Sequence, residues 1–102
     1  MSDPQPVLAA LADPTRRAVF ERLNSLGPAS ATQLALELPV TRQAIAKHLS
    51  QLDSVGLVDR SIKGRQVVYA ARVDPLDEVA SWLETVGEDW DQRLARLRGS
   101  FE

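Results

Sequence analysis

The sequence predicts a mainly α-helical fold carrying one β-hairpin, in the order α-α-α-α-β-β-α, on three observations. Apolar residues recur at three- and four-residue spacing through four punctuated stretches before Gly56. β-branched residues then flank a Lys63-Gly64-Arg65 tip, the signature of a hairpin. From Asp74 a single helical period runs to about Arg98.

Val7, Leu8 and Leu11 suggest a short first helix behind a proline-rich start. In "ADPTRRAVFERLNSLGP" Asp13 is the expected N-cap and Pro14 suits the first turn. Val19, Leu23 and Leu26 share a face, and Gly27-Pro28 stops the helix. "SATQLALEL" places Ser30 and Gln33 at capping-box spacing, with Leu34 and Leu38 on the buried side of a third helix. Thr41 then caps a fourth helix, in which Ile45, Leu49 and Leu52 recur until Gly56 ends it. Two helices joined by so short a turn predict a helix-turn-helix over about residues 30–55. The hairpin is expected over about 57–73, with Val58, Ile62, Val67, Val68, Tyr69 and Val73 around its tip. The last helix is expected over about 75–98, acidic at its start and basic near its end, as the helix dipole favours.

The chain has 102 residues, enough for one small domain over 1–102 whose core is marginal without a partner. It has no cysteine, which excludes disulfides and thiolate metal sites. No stretch approaches the apolar length of a membrane span and no signal segment is seen, so a soluble cytoplasmic protein without a membrane partner is expected. The net charge of −2 hides a segregation. Residues 41–72 carry Arg42, Lys47, Arg60, Lys63, Arg65 and Arg72 against Asp53 and Asp59, whereas residues 73–102 hold eight acids against three arginines. Local charge decides attraction to a polyanion, because the field is screened within about 10 Å.

If Ile45, Leu49 and Leu52 face the core, Arg42, Gln43, Lys47 and Ser50 or Gln51 face outward. Arginine and lysine can meet guanine O6 and N7, glutamine can pair with adenine, and Ala46 permits close approach to a major groove. The helix N-terminus and Thr41 suit a phosphate. A narrow tip with Lys63 and Arg65 can follow phosphates or enter a minor groove. Helix-turn-helix and basic wing together predict a double-stranded DNA partner. His48, the sole histidine, suits either a phosphate contact or a local structural bond. With no cysteine nucleophile and no second histidine, neither an enzyme nor a cofactor is expected.

The segments "LAALADPTRRAVFERL", "ATQLALELPVTRQAIAKHLSQLDSVGLV" and "GRQVVYAARVDP" resemble successive parts of the ArsR-type winged helix-turn-helix regulators. The tail "PLDEVASWLETVGEDWDQRLARL" resembles the final helix of the subset without metal-binding cysteines. The resemblance implies a homodimeric transcriptional regulator, most often an autoregulatory repressor on a palindromic operator. It carries a DNA-contact role onto Thr41, Arg42, Gln43, Lys47 and His48, and onto Lys63 and Arg65 in the wing. The chain departs from the metal sensors of that family: it reads "LELPVTRQ" where they carry cysteines, and its final helix has no histidine. No metal site is expected, and Asp89 and Asp91 read as solvated helix charge.

Leu76, Val79, Leu83, Val86, Trp90, Leu94, Leu97 and Phe101 form a near-heptad seam on the last helix. With Leu8 and Leu11 of the first helix, they predict a dimer through the first and last helices, related by a two-fold axis. Trp82, Val86 and Trp90 fit either the core of that dimer or a pocket for an unidentified apolar effector. Gly87 marks a close helix crossing or a bend. Two other function classes compete with DNA regulation: a winged-helix module for protein interaction or dimerisation, and a sensor of a small apolar ligand at the dimer interface.

Overall fold

A computed structural model of the chain describes residues 3–101, apart from the side chains at 97, 98, 100 and 101. Five helices and one antiparallel hairpin follow in the expected order: α1 (Gln5–Ala12), α2 (Pro14–Leu26), α3 (Ala31–Glu37), α4 (Arg42–Ser54), β1 (Val58–Lys63), β2 (Gln66–Ala71) and α5 (Asp74–Phe101).

Local chemistry sets the helix starts. The Asp13 carboxylate accepts from the backbone N–H of Thr15 at 2.9 Å and of Arg16 at 3.3 Å, satisfying donors that have no partner inside α2. Ser30 and Gln33 close a reciprocal capping box: the Gln33 N–H donates to Ser30 Oγ at 3.1 Å, and the Ser30 N–H donates to Gln33 Oε1 at 2.8 Å. The Thr41 hydroxyl accepts from the Ala44 N–H at 3.1 Å and starts α4. In the hairpin Lys63 pairs with Gln66, leaving Gly64-Arg65 as a two-residue turn. Gly64 has φ +63°, the left-handed conformation required at the first central position of such a turn.

The sheet has a third contributor that no periodicity announced. Ala29, just before the capping box, forms an isolated antiparallel bridge with Tyr69. The Ala29 N–H donates to the Tyr69 carbonyl at 2.9 Å, and the Tyr69 N–H donates to the Ala29 carbonyl at 2.8 Å. The wing is thus fastened by backbone to the segment that launches α3.

Val19, Leu23, Leu34, Ile45, Leu49, Leu52, Leu57 and Val58 are almost fully enclosed and form the centre of the core. Leu26, expected on the same face of α2 as Val19 and Leu23, is exposed at the last residue of the helix, and Phe20 joins Val19 and Leu23 in the core instead. Ile62 and Val73 are also exposed, so only part of the hairpin's apolar set is structural.

Of the expected dimer seam, Val79 is buried in the chain's own core, and Leu76, Leu8 and Leu11 pack half-buried against it. These four are therefore occupied, at least in part, within one chain. Trp82, Leu83, Trp90 and Leu94 remain exposed, at 43–55%. Val86 is half-buried, and the Leu97 and Phe101 side chains lie outside the described residues. The extents of 67 × 28 × 19 Å and the radius of gyration of 18.2 Å reflect α5 projecting from the body. A compact chain of this length has a radius nearer 13 Å.

Candidate nucleic-acid interface

The helix-turn-helix consists of α3, the turn at residues 38–41, and α4. With Ile45, Leu49 and Leu52 anchored in the core, the 3.6-residue period turns Arg42, Gln43, Ala46, Lys47 and Ser50 to solvent. Sequence reasoning left Ser50 and Gln51 as alternatives for this outer face, and the structure selects Ser50. Gln51 is half-buried, and its Oε1 accepts a 2.6 Å hydrogen bond from Arg16 Nη2 on α2.

Between α4 and the wing lies an open cleft of about 420 Å³. Arg42, Gln43 and Ala46 form one wall, Arg65, Gln66, Val67 and Tyr69 the other, and Ser30, Ala31 and Thr32 the floor. The lining holds two arginines and no carboxylate, so its field is positive. Three of the expected contact residues, Arg42, Gln43 and Arg65, converge here. Thr41, Lys47 and Lys63 are exposed but do not line the cleft. Thr32, Gln66 and Tyr69 were missed by sequence reasoning; the position of Gln66 directly after the tip was the one available signal for it.

His48 occupies a different environment. Its ring is half-buried, and its Nδ1 is buried without a hydrogen-bond partner among the described residues. The ring thus sits at the edge of the buried stripe of α4, and no local structural bond forms at its Nδ1 among the described residues.

The cations also separate into paired and unpaired groups. Arg72 bonds Asp74 at 3.0 Å and Asp59 at 3.5 Å, contacts that raise its already high pKa. Arg72 was counted in the basic segment, but these contacts neutralise it. Arg22 of α2 pairs with Glu37 of α3 at 2.8 Å. Among the described residues, Arg42, Lys47, Arg60, Lys63 and Arg65 enter no ion pair. Unpaired cations beside a positive cleft, with glutamines able to donate and accept, suit a polyanion bearing base edges.

A family model described as a helix-turn-helix domain matches residues 11–61. The uncharacterized HTH-type transcriptional regulator YuzN of Bacillus subtilis is 35% identical over 85 residues, covering 76% of this chain and 92% of that protein. An ArsR-like transcriptional regulator from Rhodococcus sp. RHA1 superposes with a TM-score of 0.82 at 44% identity, over 92% of this chain and 88% of that one. The cadmium sensor CmtR of Mycobacterium tuberculosis is 42% identical over 66% of this chain and 68% of its own, with a TM-score of 0.57.

Proposed function

Because this chain belongs to the ArsR-type winged helix-turn-helix transcriptional regulators, a DNA-binding and non-enzymatic family, we propose that it is a cytoplasmic autoregulatory repressor that binds a palindromic operator as a homodimer. The observation that carries this reading is the acid-free cleft between α4 and the wing, with unpaired Arg42 and Arg65 on its two walls. The whole chain, 1–102, acts as one winged-helix domain. α4 enters the major groove, Arg42 and Gln43 address base edges, and Lys47 and Thr41 engage the flanking backbone. Lys63 and Arg65 follow the phosphates beside the adjoining minor groove. His48, half-buried beside the exposed Lys47, adds a contact to the same backbone.

The dimer is supported by the apolar stripe of α5, with exposed Leu83, Trp90 and Leu94 and half-buried Val86 at near-heptad spacing. Two-fold pairing of α5 and α1 sets two copies of α4 about 34 Å apart, one turn of DNA.

The residues of this chain do not fit a transition-metal sensor. It has no cysteine and one histidine, and that histidine is half-buried. Among the described residues no three metal-ligating side chains cluster. Calorimetry on tag-free protein is expected to show no micromolar affinity for zinc, nickel, copper or cadmium.

The deciding experiment is fluorescence anisotropy on the duplex upstream of the protein's own gene and on a scrambled duplex, across a salt series. Tight, salt-sensitive preference for the upstream duplex is expected. Equal weak binding to both would remove the autoregulatory reading, and no binding at low salt would favour a protein-interaction module.

A further inference from the structure

The buried Ile45, Leu49 and Leu52 hold α4 against its neighbours, and a directional hydrogen bond to a side chain on its flank adds a further restraint on rotation about the helix axis. Readout of bases is sensitive to that rotation. Side-chain tips about 5–6 Å from the axis move by about 1 Å for a 10° roll. A hydrogen bond tolerates only about 0.5 Å in length.

One side chain is placed to add such a restraint. The Arg16 side chain is 16% exposed and lies where α1, α2 and α4 meet. Its Nη1 donates to the Ala10 carbonyl of α1 at 3.2 Å, and its Nη2 donates to Gln51 Oε1 of α4 at 2.6 Å. The same Nη2 lies 3.7 Å from Asp13, the cap of α2. A planar guanidinium with fixed donor directions thus links three helices. The buried Arg16 Nε and His48 Nδ1 have no partner among the described residues, so neither adds a second link to α4.

We propose that Arg16 is a positioning residue for sequence readout: by holding Gln51 it fixes the roll of α4 against α1 and α2, so that Arg42 and Gln43 meet base edges in register. The inference rests on the reading that α4 discriminates DNA sequences.

The test uses full-length protein and the duplex that the wild type selects from a randomised pool, with a scrambled duplex beside it. Arg16→Lys keeps the charge but loses the fork, and Gln51→Ala removes the acceptor without changing charge. Each is expected to lower the preference for the selected duplex about 3- to 30-fold, a size typical of residues that act on a site without touching its ligand. Binding to scrambled DNA, the salt slope and the far-UV circular dichroism should stay unchanged. The double variant should lose no more than the worse single, and Gln51→Glu, which retains an acceptor, should keep the preference. Intact preference in both single variants, losses that multiply in the double, or equal losses on both duplexes would overturn the proposal. If the wild type selects no sequence from the pool, the proposed function fails first and this inference falls with it.

Discussion

Replacing both wing cations, Lys63→Ala with Arg65→Ala, should change the salt dependence of DNA binding more than its sequence preference. The two residues flank the Gly64 turn, are exposed, and enter no ion pair among the described residues, so each is available to one phosphate. Counted with Arg42 and Lys47 of α4 and without Arg60 of β1, they give a proposed dimer eight cations at the recognition helices and wing tips, and about 0.9 logarithmic unit of slope per phosphate sets a slope near 7. The double variant removes four of the eight and should bring the slope down to about 3.6. Between about 50 and 200 mM salt, wild-type affinity should then fall about 10⁴-fold and that of the variant only about 10²-fold. Anisotropy titrations on specific and scrambled duplexes read both slopes, and the ratio between duplexes should be nearly preserved. Arg42→Ala should behave differently, costing about 1–3 kcal/mol per half-site on the specific duplex and less on the scrambled one. Parallel salt slopes for wild type and the wing variant would refute the argument, because the wing would then make no phosphate contact.

Other outcomes follow from the same geometry. Leu83→Glu with Trp90→Glu places charge on the exposed stripe of α5 without entering the core, so sedimentation should show monomers whose helical signal is retained; a persistent dimer would rule out that seam. Asp13 is held below its ordinary pKa of 3.8, first by the Arg16 backbone N–H, then by the Thr15 N–H and the charges of His48 and Arg16, against the opposing effect of burial. A depressed folded-state pKa gives stability that is present above 3.8 and lost as pH falls through the folded value. Asp13→Asn keeps a capping oxygen, so its deficit in thermal midpoint should shrink between about pH 5 and 3; a deficit independent of pH would contradict the assignment. An added Cβ at Gly87 meets nothing within 4 Å in the chain, so Gly87→Ala should raise stability by about 1 kcal/mol in thermal unfolding. If it instead dissociates the dimer, Gly87 is a close crossing of two helices.

Much of the helical framework could be read from the sequence because it is written locally. Asp13, Ser30 with Gln33, and Thr41 each cap a helix within three residues of themselves, and Ile45, Leu49 and Leu52 repeat a single period. The tip was equally legible, since the glycine sits where a two-residue turn demands positive φ. What escaped depends on partners distant along the chain. Gln51 turns inward because Arg16, thirty-five residues earlier, offers a donor, and no pattern within α4 separates it from Ser50. Arg72 looked like a free cation; its shorter pair, with Asp74 at 3.0 Å, is local, and only the 3.5 Å contact with Asp59 waits for the hairpin to form. The bridge between Ala29 and Tyr69 is made by backbone atoms alone and leaves no side-chain signature. The cleft inherits this limit: Arg42, Gln43 and Arg65 were nameable one by one, but their convergence is set by that bridge.

The Ala29–Tyr69 bridge also bears on how such a regulator can change its target. Two backbone hydrogen bonds close the chain from Ala29 to Tyr69 into a loop that contains α3, α4 and the wing tip. The aperture of the cleft is fixed at its base by atoms common to every residue type, whereas the rim consists of exposed side chains such as Gln43 and Arg65. On the proposed mode of binding, substitutions at the rim can therefore alter the operator that is preferred without resetting the distance between helix and wing. New specificities then become reachable one residue at a time, each from a protein that still folds and still binds DNA.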